Sequence, residues 1–590
     1  MPRGARPVVA VFDLAPRKDD DRARWIGTAV ADAMRSDLAV GEHVRATPGD
    51  ATARLAAAGR DDKTLIAAAR DRGGADYALT GTCAIGDGLA GLLTLDLALF
   101  RVDTGKRIAA WSETVDGGRL LDAAARASER LRSEIGAPPA PPADIAALAA
   151  AYPSRLDAAE SFARGTAHLR AFESVAARSE LVEATGLEPN APLAHASLAA
   201  AYLQLGEQRR GRAEAERAFQ LASGLTRELR LSLEGLYRES ANQWDRAVEI
   251  DRALWTFFPD NLEYGLRLAT AELKGAKLKE AGATIDELRK LPPPDGLDPR
   301  IDLADADLVS RRGEAGRQLE VARAAEKKAT ELGRPHLVAQ ALTQQSIAED
   351  SLAHTDKATE LAKRAEAMFH DAGDRVGEAM AWNRVAKYQF FRGDAALATK
   401  SLEAGLAITR GVGSDERTAT LLSNLAIVRH SERDFAGASA LFRESIALHE
   451  SISASYDTLQ ARDNLANVEL DAGDLAGSLA TREQVISMRR EFGDTRGLVI
   501  SLAGLSRTLR ARGDDEGSAR ACDELRRLDA TLTDAEAKSA AQGELAQVAL
   551  GAGRLDDARR ALEAAAGTTS KTEHAGELGL TQAWTACVDA

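Results

Sequence analysis

The sequence predicts a mainly α protein, an α-solenoid of helix–turn–helix units preceded by a small α/β sheet domain. Three observations predict it. From Leu337 to Leu562 small residues recur every 40 positions, as Ser346, Ala386, Ala426, Ala466, Ser506 and Ala546. Twelve positions on, a second small column reads Ala358, Ala398, Ala438, Ser478, Ser518 and Ala558. Ahead of both, Val8–Phe12 opens a segment of alternating, β-rich runs that does not share the repeat. A fixed period in this range means stacked supersecondary units, none able to bury its apolar face alone.

Each repeat unit is legible in its columns. An apolar position, Val385, Leu425, Leu465, Leu505 and Leu545, precedes the first small residue, and Leu441, Phe442 and Ile446 recur at helical spacing after the second. Between the columns lies a turn signal: Gly393-Asp394, Arg433-Asp434, Gly473-Asp474, Gly513-Asp514 and Gly553-Arg554. Glycine stops one helix and aspartate caps the next. The small columns belong where the paired helices cross, because only Ala, Ser or Gly lets two backbones approach closely.

In order along the chain, the segment 7–136 reads as strand Val8–Phe12, helix Trp25–Leu38, helix Asp61–Arg72 and strand Ala75–Thr82. Two further strands, Leu92–Val102 and Ile108–Val115, and a closing helix, Leu120–Ile135, complete it. That is a compact α/β domain, 1–136, followed by a Pro/Ala-rich linker, 137–156. Residues 157–294 form a degenerate helical array with a 34-residue period, carried by Ala247 and Ala281 and by Pro259 and Pro293. Pro292-Pro293-Pro294 ends it, and residues 295–590 carry the 40-residue period.

Small residues twelve apart, a Leu before the first and a turn between them resemble the tetratricopeptide repeat (TPR). The longer period, with Asn424-Leu425-Ala426 and Asn464-Leu465-Ala466, is similar to the repeats of kinesin light chains and many bacterial regulators. The six extra residues per unit fall outside the twelve-residue core, near Gly411–Asp415 and Phe492–Thr495. The N-terminal segments Pro7–Val11, Gly74–Gly81 and Val102–Glu113 resemble a TolB-like module. With Trp255–Pro259, Arg289–Pro294 and Asp298–Ala306, they are similar to the non-kinase C-terminal regions of bacterial eukaryotic-type serine/threonine protein kinases. Winged-helix transcriptional regulators carry similar tails. The resemblance implies a TPR superhelix whose first helices line a concave groove for a partner protein or peptide. Carried onto this sequence, the groove residues are Arg384, Lys387, Asn424, Asn464, Asn467 and Arg507. Asn can hydrogen-bond a ligand backbone and Arg or Lys can hold a carboxylate; the plainer reading is a set of exposed polar residues on a helix.

Composition narrows the function. A net charge of −14 over 590 residues, with both signs interspersed, opposes nucleic-acid binding by this chain alone. No run of 18 apolar residues predicts membrane insertion, so the chain as written is expected in the cytoplasm. As a piece of a membrane-anchored kinase it would lie outside the membrane. The three cysteines, Cys83, Cys522 and Cys587, are far apart and read as buried thiols.

Chemistry is scarce. Gly86–Gly91 satisfies a glycine-loop pattern but lies between strands, without the helix N-terminus a phosphate cradle needs. Asp434-Phe435-Ala436 mimics a kinase metal motif but sits in the repeat turn. The histidines show no metal spacing, His430 and His449 lie on helices, and Trp255, Phe257 and Phe258 read as core. No acid–base pair, cofactor or metal site is expected. The reading is a non-catalytic interaction scaffold of a bacterial signalling system, with association to a kinase domain. The alternative is a ligand-sensing tail of a membrane-anchored kinase or a winged-helix regulator.

Overall fold

The computed structural model describes residues 6–569 apart from 18–20, 57–58, 72, 87–90, 117–118, 453–454, 530–534 and 552–553. By contacts the chain divides into two compact units: residues 1–344 with 368–374, and residues 345–367 with 375–590.

The first unit begins with a mixed sheet. Its strands are β1 (Val8–Val11), β2 (Ala15–Pro16), β3 (Arg45–Ala46), β4 (Tyr77–Ile85), β5 (Leu92–Arg101) and β6 (Lys106–Asp116). Their order is β3-β1-β4-β5-β6, with β2 pairing β4 off that path. β1 lies parallel to β3 and β4, whereas β4, β5 and β6 are antiparallel. Helices α1 (Asp21–Ala39), α2 (Gly49–Ala56), α3 (Asp62–Asp71) and α4 (Leu120–Glu134) cover it. Alternation in β5 decides the faces: Leu93, Leu95, Leu97 and Leu99 are buried with Ile26, Val30 and Met34 of α1 and with Ala127 and Leu131 of α4. Phe100 and Val102 instead join Ala10, Phe12 and Leu65 and Ile66 of α3. The sequence reading finds these elements except β2, β3 and α2, which are short and carry little period. The hairpin tip at residues 87–90 lies outside the described residues, but the glycine-loop lookalike is followed by β5, not by a helix.

Beyond the Pro-rich joint the chain is helical. Pairs Leu156–Arg170/Ser174–Leu187, Pro192–Gln204/Gln208–Gln220, Arg227–Ser240/Trp244–Phe257 and Leu262–Lys274/Leu278–Leu288 follow one another. The first packs Ala159 and Ala163 into the sheet core. Trp255 is half-buried against this array, but Phe257 is exposed, with the Arg227 guanidinium 4.5 Å from its ring centroid. Trp255 and Phe258 are thus half-buried and Phe257 between them is at the surface.

In the second unit the 40-residue period is spent on helix. The pair Asp415–Ser431 and Phe435–Ser451 has 17 residues in each helix, against 13 in Leu262–Lys274 and 11 in Leu278–Leu288. The extra residues continue the helices, as Gly411 and Val412 do, and loops stay short. Ala358, Ala398, Ala438 and Ser478 are fully buried, as are Ser346, Ala426, Ala466 and Ser506. Where a small position is serine it bonds across the crossing: Ser346 Oγ donates to the Ala358 carbonyl and Ser478 Oγ to that of Ala466, both at 2.8 Å. The small columns mark the helix crossings.

The turns share one backbone conformation, and three of the four share a cap, Asp394 making no side-chain cap bond. Gly393, Arg433, Gly473 and Gly513 adopt φ between 63° and 87°, the left-handed conformation that ends a helix. The next residue then caps the second helix: Asp434, Asp474 and Asp514 accept from the backbone N–H of Gly437, Gly477 and Gly517 at 2.8–2.9 Å. Asp434-Phe435-Ala436 is thus a cap, in phase with its neighbours. Gly553 of the last turn signal lies outside the described residues.

Candidate functional site

The first helix of each unit presents its small residue to its partner helix, so the flanking residues turn towards the neighbouring first helices. There they form a ladder. Lys387 Nζ meets Asp350 Oδ2 at 2.9 Å, and Asn424 Nδ2 donates to Asn383 Oδ1 at 2.7 Å. His430 Nε2 lies 2.8 Å from Asp471, Arg507 Nη2 donates to Asn467 Oδ1 at 3.4 Å, and Arg510 Nη2 to Gln547 Oε1 at 3.1 Å. At least one side-chain bridge therefore joins every pair of neighbouring first helices from Pro335–Ser351 to Ala535–Gly551.

The six residues named from sequence take up different roles in it. Asn467 and Arg507 are brought together directly. Lys387 is exposed and lies 5.8 Å from the ring centroids of Tyr388 and Phe391. Asn424 contacts Asn383, a residue the sequence reading left out. Arg384 and Asn464 are half-buried. Several of the proposed contact groups thus already hold one unit against the next, although each amide and guanidinium keeps further donors. Exposed bridges of this kind are worth at most ~1 kcal/mol each, so a ligand can exchange for them.

Beneath the ladder lies a buried polar network that sequence reasoning missed. Asp463, Arg482 and Arg489 have side chains at most 2% exposed. Arg489 Nη2 meets Asp463 Oδ2 at 2.7 Å, and Ser501 Oγ donates to both carboxylate oxygens at 2.8 and 2.9 Å. Arg482 donates from Nη2 to Asn467 Oδ1 at 2.6 Å and from Nε to Thr508 Oγ1 at 3.2 Å. Room for the guanidinium groups comes from two glycines. A Cβ at Gly504 would stand 1.9 Å from Arg482 Nη1, and one at Gly497 1.3 Å from Arg489 Nη1. Burial pushes the Asp463 carboxyl above its ordinary range against the pull of Arg489. Burial, and then the Arg507 charge, bring Arg482 down to about 10. One sequence signal was available. At 40-residue spacing Ala362, Leu402, Phe442, Cys522 and Leu562 share a column with Arg482, and an arginine in an apolar column is an anomaly. Through Asn467 this network is joined to the ladder.

Of the other residues singled out in the sequence, Cys83 and Cys522 are buried thiols with pKa values raised by burial, and Cys587 lies outside the described residues. His449 is buried, and burial lowers its pKa. Among the described residues no group of three or more His, Cys, Asp or Glu is placed to hold a metal ion. No helix among them is long and apolar enough to cross a membrane.

No protein-family model matches the chain, and no curated protein matches it. Solved structures do. A Rap protein complexed with competence and sporulation factor is 14% identical, with 61% of this chain and 98% of that one covered and a TM-score of 0.41. The apo form of RapI is 16% identical, with 59% and 99% covered and a TM-score of 0.44. A signal-transduction ATPase with a tetratricopeptide repeat sensor from Pyrococcus horikoshii is 14% identical, with 62% and 53% covered and a TM-score of 0.39. The stacked helix pairs described above make the fold an α-solenoid. What this array carries beyond its packing columns is the ladder of amides and cations along its first helices.

Proposed function

We propose that the chain is a non-catalytic protein–protein interaction scaffold, a regulatory module of a bacterial signalling system that binds a partner peptide or protein along the first helices of its 40-residue repeats. The observation that supports this reading is the ladder itself. Lys387, Asn467 and Arg507 follow the small residue of their units by one, Asn424 precedes that of its unit by two, and together they offer amide and cationic groups at the surface. A row of donors and acceptors along successive units suits an extended or helical peptide, whose own polar groups repeat. Binding is an equilibrium, with no covalent step. Its partner belongs to a signalling pathway in which this chain accompanies a kinase domain.

The test is capture of partners by the full chain against the triple variant Asn424→Ala, Asn464→Ala, Arg507→Ala, with thermal melting as the control for folding. A partner held by the natural chain and lost by the folded variant supports the reading. Equal capture by both withdraws the ladder as the binding surface.

A further inference from the structure

The helical array of the first unit meets the sheet domain twice, and the two junctions are built from different forces. At its start the junction is apolar. Ala159 and Ala163 of the helix Leu156–Arg170 are buried in one cluster with Val30 and Met34 of α1 and Leu95 of β5. The hydroxyls of Ser36 and Tyr152 lie 2.8 Å apart beside it, and Arg170 meets Asp32 at 3.1 Å. Where the array returns to the sheet, a cleft of about 1600 Å³ stands between the two instead. Its walls are packed separately: Val8 and Leu55 belong to the cluster around Phe12, and Leu262 to a cluster within the array.

Much of the charge on each wall is met within that wall. On the array side Arg300 pairs with Glu263 and Asp298, Lys328 with Asp302 and Arg334 with Asp298. On the sheet side Asp76 accepts from the Val8 N–H at 2.8 Å, and Arg70 pairs with Asp71. Two ion pairs cross the cleft. Arg6 Nε donates to Asp260 Oδ2 at 3.0 Å, and Arg45 pairs with Asp295. The other meeting points are narrow. A Cβ at Gly74 would stand 2.8 Å from the Pro293 carbonyl oxygen, and the His336 ring lies 3.8 Å from that of Phe172. Solvent ions reach the crossing pairs: Arg6 and Asp260 are 23% and 31% exposed, and Arg45 and Asp295 23% and 12%. Salt screens pairs at this exposure and leaves an apolar core in place.

We propose that the returning stretch, residues 260–336, is a clasp: Arg6–Asp260 and Arg45–Asp295 hold the early array closed on the sheet domain, and rising ionic strength releases it while the apolar junction at residues 156–170 stays folded. Because each wall is packed and paired within itself, release costs neither wall its core. The first unit thereby alternates between a closed and an open form. The clasp is independent of the first-helix ladder, and either can fail alone.

The experiment measures the distance across the cleft by pulsed electron–electron spin resonance in the full chain. Nitroxide labels sit on Arg70→Cys and Lys327→Cys, exposed positions on opposite walls, with Cys587→Ser removing a competing thiol. From about 10 mM salt, where the Debye length is about 30 Å, to about 1 M, where it is about 3 Å, the population at longer distance should grow at least threefold. Asp260→Lys with Asp295→Lys should show the longer distance at low salt already and lose the salt response. Adding Arg6→Glu and Arg45→Glu, which swaps both pairs, should restore the short distance. Helical content by circular dichroism checks folding, and if the reversed variant melts early, Asp260→Asn with Asp295→Asn takes its place. A distance that salt leaves unchanged in the labelled chain overturns the proposal. So does a salt response that the folded charge variant keeps in full.

Discussion

In the helix pairs between residues 156 and 288 the chain turns back at Phe172, Gly206, Asn242 and Ala276, all at positive φ. Between 375 and 529 it turns at Gly393, Arg433, Gly473 and Gly513, spaced 40 apart. The backbone conformation is the same and the residues supplying it are not. Caps differ likewise. In the earlier pairs the second helices start after Glu173, Glu207, Gln243 and Lys277, none of which makes a side-chain cap bond. In the later ones Asp434, Asp474 and Asp514 do, and Asp394 does not. The early units are tied instead by individual contacts. Arg178 bonds Glu207 at 2.7 Å, Tyr264 donates to Glu228 at 2.6 Å, and Arg267 bonds Glu239 at 2.8 Å. A geometry that costs a common motif in one array is met by unit-specific chemistry in the other, which is why one repeats in sequence and the other hardly does.

If that contrast is right, the largest effect should come where the regular array departs from its own pattern. Asp463→Ala removes the buried carboxylate that Arg489 and Arg482 share and leaves Arg489 only Asp494, and the array should lose about 3 kcal/mol in denaturant unfolding. A loss under about 1 kcal/mol would mean that water already serves the guanidinium. Next, Ala426→Leu tests the crossing column, where the side chain is fully buried; overpacking should cost about 1–3 kcal/mol. The same change at half-buried Asn464, two positions before the next small residue, should cost far less. Removing a repeated cap with Asp474→Ala should cost about 1 kcal/mol. Replacing Lys277, which holds the corresponding place in the early array without capping, should leave cap energy unchanged.

The smallest expected effect is one of pH, in the sheet domain. Burial pushes Asp37 up to about 7, against the pull of Arg132 and Ser128. A carboxyl with a raised folded-state pKa favours folding most below its unfolded value of about 3.9. That advantage is lost as pH rises towards about 7 and is constant above it. Melting of the natural chain between pH 4 and 8 should therefore fall more steeply than that of Asp37→Asn. Parallel curves would show that Asp37 keeps its charge in the folded protein.

Much of the later array was legible because its defining residues perform one job each. Ala426 must be small, Gly473 must take positive φ, and Asp474 must cap, so their identities recur. The sheet was legible through the alternation of Leu93 to Leu99, while β2 and β3, two residues each, had no room for a period. The ladder was legible only by resemblance, and incompletely: Asn424 was named but its partner Asn383 was not. A side chain's partner 40 residues away depends on how neighbouring units are aligned, which no single helix encodes. The buried network was hidden for another reason. Arg482 is marked only by standing in an apolar column, and Arg489 reads as a surface residue until Gly497 is seen to vacate the space it fills.

Three successive 40-residue units of the later array carry their own stop and their own start, a left-handed turn at Arg433, Gly473 or Gly513 followed at once by a capping aspartate. Both bonds close within the unit. Such a block can be duplicated or deleted whole without rewriting its neighbours, provided the joining faces match. Lengthening the array by gene duplication is therefore cheap in design terms, and the number of units is free to drift while the grammar of each is held fixed.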